Sequence, residues 1–494
     1  MIQTDQFRFD AFSPDVTPNL YKLSQKSTFF ENFYASTPTC TPARAAILTG
    51  KSPWYHGMLG YGLVTNCEKY ATTFPEILTK DLGYHSFSVG KNHFGQNKRG
   101  KFVTQGYSTL AMYDGLFLYE DDYDLEFNET HPNVSPLSTC DLQWNDWKPC
   151  PYEFEEDAHP TAWTTRKALD ALEGYNWNSN HSKPLLAKVS YHRPHSPYDP
   201  PKRLWYKHMN KPPVDRILNI NATSWEAKYK NTPESMPRDA WRGDPGMTEA
   251  RRIRHAYLAN VEFVDEGVGQ ILGLLEKKQV LDQTLILWVT DHSDQGGDHF
   301  LWRKGYPWQS SVHVPMLIKL PGQRVGRKST GLAEHRDIAV TLYDYLGIWS
   351  QIQAQDATIN GKSLVPVCKG IVRRVRTWLD LEHSKVFNSD IHWNAILAEM
   401  DNGSLWKYIL FQNGREQLFN LDADPNEFMD RSKESVKELD LMRFLMKSQF
   451  YDEQRGSQWI QGNGTIALGR KPIVFAENYP CGDHDEEKAT TLPA

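Results

Sequence analysis

A nearly all-apolar run at residues 284–290, Thr-Leu-Ile-Leu-Trp-Val-Thr, restricts the fold of this chain more than any other segment. The run has the length of a strand, and its lack of alternation indicates burial on both faces, as in a parallel sheet under helices. A helix-like stretch at residues 248–278 precedes it, and a helix at residues 161–172 likewise precedes a strand at residues 185–191. This alternation predicts an α/β fold with a large, mostly parallel sheet sandwiched by helices.

Two aspartates follow strand-like segments that lie far apart in the sequence. Asp291 follows the run at residues 284–290, and Asp5 follows a short apolar stub at the start of the chain. Ligands of open parallel sheets bind beyond the carboxyl ends of the strands. We therefore expect Asp5 and Asp291 to point into the same crevice.

The chain of 494 residues is too long for one compact core and predicts a large domain with a smaller one. We predict the large domain at residues 1–375 and an antiparallel α+β subdomain at residues 376–480, with a polar tail at residues 481–494. Residues 100–160 lack a regular pattern and are expected to be irregular. Residues 196–245 are rich in Pro, Trp, Lys and Arg and are expected to form a surface excursion.

Residues 38–50, Pro-Thr-Cys-Thr-Pro-Ala-Arg-Ala-Ala-Ile-Leu-Thr-Gly, carry Cys40 and Arg44 in the spacing Cys-x-Pro-x-Arg. Considered alone, Cys40 could be a buried structural cysteine before a helix. Three further segments present cationic or imidazole side chains: Gly-Tyr-His-Ser through Gly-Lys-Asn-His at residues 83–93, Pro-His-Ser-Pro at residues 194–197, and Gly-Asp-His-Phe-Leu-Trp-Arg-Lys-Gly at residues 297–305.

Together these segments resemble the signatures of the formylglycine-dependent (type I) sulfatases of the alkaline phosphatase superfamily. Residues 38–50 match the first signature at every position, and residues 83–93 approach the second, with Asn92 where an aromatic residue is usual. The segment at residues 416–427 resembles a structural element near the end of these enzymes. The resemblance extends from residue 2 to about residue 430 and implies an alkaline-phosphatase-like fold and an arylsulfatase-like sulfuric ester hydrolase.

The resemblance implies that Cys40 is the precursor of the nucleophile, oxidised to formylglycine by a formylglycine-generating enzyme. A hydrated aldehyde carries two hydroxyl groups on one carbon. One attacks sulfur, and the other then loses its proton and expels sulfate as the carbonyl group reforms. Arg44 would hold the hydrate and balance its charge.

The other catalytic and substrate-binding roles are also implied by the resemblance. Lys91 would bind a sulfate oxygen, and Lys304 would bridge sulfate and the leaving group. His93 would be a hydrogen-bond partner of the hydrate or the base for its second hydroxyl group. His195 would protonate the leaving alcohol.

A divalent metal ion beside the nucleophile is implied as well, with Asp5, Gln6, Cys40 as formylglycine, Asp291 and His292 as its ligands. Oxygen donors favour Ca²⁺, and the imidazole leaves Mn²⁺ as an alternative. The Asp-Gln and Asp-His pairs resemble the choline-sulfatase and phosphonate-monoester-hydrolase branches more than the classical arylsulfatases. The alternative is that they are ordinary strand-end caps.

The composition narrows the choice of substrate and partner. A net charge of −6 argues against nucleic acid, so an anionic substrate requires a local cationic pocket. The 16 Trp and 23 Tyr residues suit a sugar-binding cleft, although core packing explains many of them. A sulfated saccharide is the favoured substrate, and no apolar run is long enough to cross a membrane. Two other functions stay open: a phosphonate or phosphate ester hydrolase, and a sulfatase-like binding protein that is never modified at Cys40.

The compartment and the disulfides are less constrained. Asn-x-Ser/Thr sequons exceed the roughly three expected by chance and hint at a glycoprotein of a secreted or lysosomal-type compartment, with coincidence as the alternative. No signal peptide opens the sequence, and we expect a truncated or misannotated start. With Cys40 committed to chemistry, at most two disulfides can form; Cys140 and Cys150 are the preferred pair, and free thiols are the alternative. The sequons are at Asn128, Asn133, Asn180, Asn221, Asn402 and Asn463.

Overall fold

The computed structural model describes residues 1–62, 70, 72–96, 101–115, 120–137, 139–142, 145–177, 183–212, 242–385 and 392–480. The strands are β1 Ile2–Asp5, β2 Thr28–Phe30, β3 Phe33–Tyr34, β4 His85–Gly90, β5 Thr109–Met112, β6 Leu185–Pro194, β7 Ile286–Thr290, β8 Met316–Lys319, β9 Arg327–Ser329, β10 Ala333–Glu334, β11 Trp378–His383, β12 Trp393–Glu399, β13 Leu405–Phe411 and β14 Glu416–Asn420.

The helices are α1 Pro18–Ser24, α2 Cys40–Thr49, α3 Pro53–His56, α4 Phe74–Glu76, α5 Asp122–Thr130, α6 Pro160–Glu173, α7 Lys202–Met209, α8 Met247–Lys277, α9 Gln309–Val312, α10 Asp337–Tyr345, α11 Trp349–Gln355, α12 Val365–Cys368 and α13 Val436–Asp452. A π-helical turn at Ile77–Asp81 continues α4. None of the helices in the described residues is both long and apolar enough to cross a membrane.

The large sheet has the strand order β5-β4-β6-β1-β7-β8-β2-β9. Neighbouring strands from β5 to β7 are parallel, β8 is antiparallel to β7 and β2, and β9 is parallel to β2. The apolar run predicted as a strand forms β7, and all five of its residues are buried. The short β1 lies in the middle, where Ile2 pairs with Val189 of β6 and with Trp288 of β7. The predicted mostly parallel sheet is confirmed.

Helices cover both faces of this sheet. Val189 and Trp288 belong to a core formed with α1, α6 and α8. Leu287 and Val289 point to the opposite face, into a core formed with α2 and α10. Because each large apolar side chain that is fully buried contributes about 1.5–3 kcal/mol, the two cores hold β7 firmly between the layers. The strand ends are thereby fixed in space.

The C-terminal part forms a separate antiparallel sheet, β11-β12-β13-β14. One face packs Trp393 and Ile409 against Tyr34 and Trp308 of the larger body. The other face packs against α13. The predicted antiparallel subdomain is therefore present, while its exact bounds at residues 376–480 stay a prediction and its tail at residues 481–494 lies outside the described residues.

Two predictions of irregular structure are wrong in part. Residues 100–160 contain the edge strand β5 and the helix α5, whose N-terminus is capped by the Asp121 side chain. Residues 196–201 are buried, and α7 packs Leu204 and Trp205 inward. Elements this short span fewer residues than the roughly 11–18 over which an apolar period is recognised. The rest of the predicted excursion, residues 213–241, lies outside the described residues.

The predicted pairing of Cys140 with Cys150 is confirmed, whereas glycosylation of the sequons stays a prediction. Cys140 and Cys150 form a disulfide, and Cys40 and Cys368 are free and buried. Cys67 and Cys481 lie outside the described residues. The sequon asparagines that the structure describes are exposed: Asn128, Asn133, Asn402 and Asn463.

The end of β4 depends on a glycine. Gly90 has φ +90°, and a Cβ atom there would lie 2.1 Å from the carbonyl oxygen of Ser190 on β6. Gly83 has φ +71° with nothing within 4 Å of a Cβ position. We predict that Gly83→Ala loses only about 1–2 kcal/mol of unfolding free energy, the cost of a left-handed backbone. Gly90→Ala should lose more than about 4 kcal/mol.

Urea unfolding of both variants checks this prediction. The backbone cost is common to both, so the difference between them isolates the contact with Ser190. Equal losses would contradict the tight approach of β4 and β6.

Candidate active site

Cys40 is the first residue of α2 and is buried. The Nζ atom of Lys304 donates a hydrogen bond to its Sγ atom over 2.9 Å. The Nε2 atom of His292 lies 3.3 Å from the same sulfur, and Oδ2 of Asp5 lies 3.7 Å away. Residues from three distant parts of the sequence therefore meet at one sulfur atom.

Arg44, one turn along α2 from Cys40, connects this helix to the sheet. Its Nη2 atom lies 3.1 Å from Oδ2 of Asp5 and 2.9 Å from Oδ2 of Asp291, at the ends of β1 and β7. Its Nη1 atom donates to the carbonyl oxygen of Lys91 over 2.6 Å and to Oγ of Ser190 over 3.1 Å. The predicted convergence of Asp5 and Asp291 is present, with Arg44 as the ion-pair partner of both.

The two carboxylates differ in their electrostatic surroundings. Burial opposes ionisation of Asp5, but Lys91, whose Nζ lies 2.8 Å from Oδ2, and Lys304 hold its pKa well below the usual range. Burial and the nearby Asp5 charge raise the pKa of Asp291. Like charges this close push their pKa values apart, and Arg44, which pairs with both carboxylates, offsets only part of this effect at Asp291.

The same charged groups also shift the pKa of the Cys40 thiol. Burial and the Asp5 carboxylate oppose its ionisation. Electrostatic interactions with Lys304, Lys91 and His292 outweigh them and lower the pKa of Cys40 to about 6. The pocket therefore stabilises a negatively charged atom at the position of the Cys40 side-chain end.

Asp5, Cys40, Asp291 and His292 each offer a ligand atom, and these atoms lie within 4.8 Å of one another. The Nδ1 atom of His292 donates to the carbonyl oxygen of Ser293 over 3.0 Å, so the lone pair of Nε2 faces the group. This donor set could hold a divalent metal ion.

Gln6 adjoins this donor set, because its backbone N–H donates to Oδ1 of Asp291 over 3.2 Å. Its backbone has φ 64°, and its Nε2 atom donates to Oδ2 of Asp294 over 2.5 Å. The orientation of the amide is fixed by that bond. Its Oε1 atom is buried and has no hydrogen-bond partner in the described part of the chain. A buried carbonyl oxygen without a donor is costly unless a cation or another donor binds it.

The segment after β4 carries Lys91 and His93 on a tightly held backbone. Oδ1 of Asp114 accepts from the backbone N–H groups of Asn92, over 2.7 Å, and of His93, over 2.9 Å. The Asn92 side chain accepts from Nζ of Lys188 over 2.8 Å. A buried lysine thus explains why an amide occupies a position where an aromatic residue is usual. Lys91 and His93 are buried, with no exposed surface.

His195 lies just beyond the end of β6 and is buried. Its Nδ1 atom donates to the carbonyl oxygen of Ser196 over 2.7 Å, which fixes the orientation of the ring. Burial, Lys304 and Lys91 hold its pKa well below the ordinary value of 6.5. His195 therefore belongs to the same electrostatic site as the two lysines and is neutral at pH 7 before an anion binds.

Sequence reasoning missed two residues that orient this site. Asp294 accepts from Gln6 and from the Tyr198 hydroxyl group, and Asp114 holds the backbone of residues 92 and 93. The signal for Asp294 was its position three residues after Asp291 at the same strand end. Nothing in the sequence around Asp114 distinguishes it from other acidic residues of its region.

Comparison with known proteins identifies the family of this chain. The family model described as Sulfatase matches residues 2–348. An arylsulfatase of Clostridium perfringens is 29% identical over 484 residues, covering 92% of this chain and 95% of that protein. A choline-sulfatase of Rhizobium meliloti is 27% identical over 418 residues, covering 83% of this chain and 76% of that protein.

Solved structures share the fold. A phosphonate monoester hydrolase from Silicibacter pomeroyi superposes with a TM-score of 0.73 at 18% identity, covering 96% of this chain and 99% of that chain. A protein solved with its substrate D-glucosamine-2-N,6-O-disulfate superposes with a TM-score of 0.67 at 20% identity, covering 92% and 97%. The alkaline-phosphatase-like fold is confirmed. The chain belongs to the sulfatase family and is an enzyme of the sulfatase class.

The donor set around Cys40 predicts metal dependence. Chelation should abolish activity, and added Ca²⁺ or Mn²⁺ should restore at least part of it. Asp291→Ala should lose the bound ion and the thermal stabilisation that the ion provides, about 2.7 kcal/mol at a concentration of 100 Kd. Elemental analysis and thermal unfolding measure both quantities.

Asp298→Ala is the matched control, because Asp298 is an acidic residue that pairs with Arg8 and Arg254 outside the donor set. It should retain the ion. Full activity in a sample shown to be free of metal would contradict the prediction.

Proposed function

We propose that this enzyme hydrolyses a sulfate monoester with Cys40, oxidised to formylglycine, as the nucleophile. The observation that carries the proposal is the surroundings of the Cys40 side chain. Lys304 Nζ lies 2.9 Å from Sγ, and Arg44, on the same helix, is bound to both strand-end carboxylates. An oxygen in place of this sulfur would meet a fixed donor that stabilises it as an anion.

The reaction is one displacement followed by one elimination. Lys91 and Lys304 bind the sulfuryl group, and one hydroxyl group of the hydrated Cys40 aldehyde loses its proton to water and attacks sulfur. The bond between sulfur and the leaving oxygen breaks, and His195 supplies the proton to the leaving alcohol. The second hydroxyl group then loses its proton to His93, the carbonyl group reforms, and sulfate departs. Water rehydrates the aldehyde for the next cycle.

The proposed metal ligands are Asp5, Gln6, Asp291, His292 and the modified Cys40. A divalent ion bound there lowers the pKa of the hydrate and offsets the charge of sulfate. Ca²⁺ is favoured by the oxygen donors, and the single imidazole leaves Mn²⁺ as the alternative. A formylglycine-generating enzyme is the proposed maturation partner.

The proposed substrate is a sulfated saccharide. The relative solved with a glucosamine disulfate supports this class, as do the aromatic-rich segments outside the motifs. The alternative is a phosphonate or phosphate ester hydrolase, and the structural similarity to a phosphonate monoester hydrolase supports it. Turnover of an aryl sulfate compared with an aryl phosphonate ester separates the two.

A compartment of the secretory route is proposed from the six sequons, and their glycosylation is part of that proposal.

Cys40→Ser tests the release step. Its single hydroxyl group can attack sulfur with Lys304 still beside it, but no second hydroxyl group on that carbon can expel sulfate. The variant should turn over at most about once and stay sulfated. Intact-protein mass spectrometry after incubation with substrate should find one sulfo group on residue 40.

Cys40→Ala is the control and should show neither turnover nor adduct. If Cys40→Ser turned over many times without an adduct, the nucleophile would lie elsewhere.

His195→Ala tests the acid. It should slow esters of sugar alcohols by about 10²–10⁴-fold more than nitrophenyl sulfate, because a good leaving group needs little protonation. The pKa of His195 lies below 6.5, so its acid form is lost as pH rises through that low pKa. Wild-type kcat/KM on sugar sulfates should therefore fall with rising pH from the acid range. Equal loss on both esters in His195→Ala would assign His195 to binding.

A further inference from the structure

His192, near the end of β6, has a tautomer that its neighbour fixes. Its Nδ1 atom lies 2.6 Å from Nη1 of Arg193. A guanidinium group only donates hydrogen bonds, so Nδ1 of His192 must accept and carries no proton. The neutral ring then holds its proton on Nε2.

Arg193 is itself held in place. Its Nε and Nη2 atoms donate to the two carboxylate oxygens of Asp199, each over 2.7 Å, in a buried bidentate pair. Such a pair is among the most rigid polar contacts in proteins. Asp199 thus orients Arg193, and Arg193 orients the His192 ring.

The Nε2 atom of His192 is buried and finds no hydrogen-bond partner among the described residues. A buried donor left without an acceptor destabilises the folded protein, because its lost hydrogen bonds to water are not replaced. The surrounding contacts nevertheless orient the ring this way. An acceptor supplied from outside the chain would remove that cost.

The position of the ring identifies where that acceptor lies. The His192 ring is 4.8 Å from the His195 ring, centroid to centroid. After burial, the charge of Lys91 is the strongest cause that lowers the pKa of His192, followed by Arg193. The ring therefore lies beside the proposed leaving-group acid and close to the proposed sulfate-binding lysine, and it stays neutral.

We propose that His192 is a further substrate-binding residue whose Nε2–H group donates a hydrogen bond to a sulfuryl oxygen of the substrate. This inference rests on the proposed sulfate-ester function for the identity of the anion. A neutral donor suits this position, because Lys91 and Lys304 already supply cationic charge at the site. The sulfuryl group is common to substrate and product, so inorganic sulfate should use the same contact.

Two substitutions of His192 distinguish the role of its Nε2–H donor from that of its Nδ1 acceptor, which contacts Arg193. The amide oxygen of His192→Asn can accept from Arg193 in place of Nδ1, but the side chain is too short to reach the position of Nε2. The longer amide of His192→Gln can place an N–H group near that position. The donor is thus removed in one variant and largely retained in the other.

His56→Asn is the matched control. His56 is also a buried histidine whose Nδ1 atom accepts a hydrogen bond, from the N–H of Met58, and whose Nε2 atom has no hydrogen-bond partner in the described ranges. Its charged neighbours are Lys51 and Arg336, away from the site. Any general effect of shortening a buried histidine appears in this variant as well.

The experiment is calorimetric binding of inorganic sulfate to the full-length, metal-loaded proteins, together with kcat/KM on aryl sulfates. His192→Asn should weaken sulfate binding by about 10- to 100-fold, the worth of a hydrogen bond to a charged group, and lower kcat/KM for good and poor leaving groups alike. His192→Gln should retain most of the affinity, and His56→Asn should match the wild type.

Equal sulfate affinity in wild type and His192→Asn would overturn the proposal, as would a wild type that binds no sulfate. A loss in His192→Asn that grows with the pKa of the leaving group, with sulfate affinity unchanged, would instead make His192 a positioning residue for His195. Binding is measured without turnover, so a chain that binds sulfate through His192 but hydrolyses no sulfate ester would refute the proposed function alone.

Discussion

The site depends on a positive charge that balances the negative charges of two buried carboxylates at the ends of β1 and β7. Arg44 pairs with both Asp5 and Asp291, and the Cys40 side chain lies one helical turn away from it. Removing one partner of a buried ion pair typically costs about 3–5 kcal/mol, a large part of the roughly 5–15 kcal/mol of unfolding free energy of a typical domain. The contact that stabilises α2 on the sheet is therefore also the contact that fixes the nucleophile against the strand ends.

The charge balance around Cys40 explains how an acidic protein can bind an anion. Arg44, Lys91 and Lys304 outnumber the carboxylates of Asp5 and Asp291, although the chain as a whole carries a net charge of −6. Dissolved salt screens the electrostatic interactions of buried charges less than those of surface charges. The local excess of positive charge, and not the net charge of the chain, therefore favours an anionic ligand beside Cys40.

The sequence contained enough information for the sheet and for the residues that contact Cys40. The run that became β7 predicted both its burial and the position of Asp291, because lack of alternation has one structural meaning in a parallel sheet. Lys304 and His292, which the resemblance to the sulfatase signatures indicated, lie within 3.3 Å of the sulfur atom. Their catalytic roles stay predictions.

The supporting residues could not be predicted, because they act through contacts made only after folding. Asp114 holds the backbone of residues 92 and 93 from the end of an edge strand that the sequence pattern did not indicate. The tautomer of His192 depends on a bidentate pair between Arg193 and Asp199. Short elements such as α7 were not predicted because its eight residues are fewer than the roughly 11–18 over which a helical period is recognised.

The chemical state of Cys40 in protein purified from its native host tests the central claim most directly. Proteolysis and mass spectrometry of the peptide that spans residues 38–50 measure it, with a carbonyl-reactive hydrazide as a second readout. The proposed mechanism predicts that sulfur is replaced by an aldehyde oxygen in every active preparation, and that the hydrazide labels this peptide and blocks activity. An unmodified thiol at Cys40 in a preparation that hydrolyses sulfate esters at full rate would contradict it.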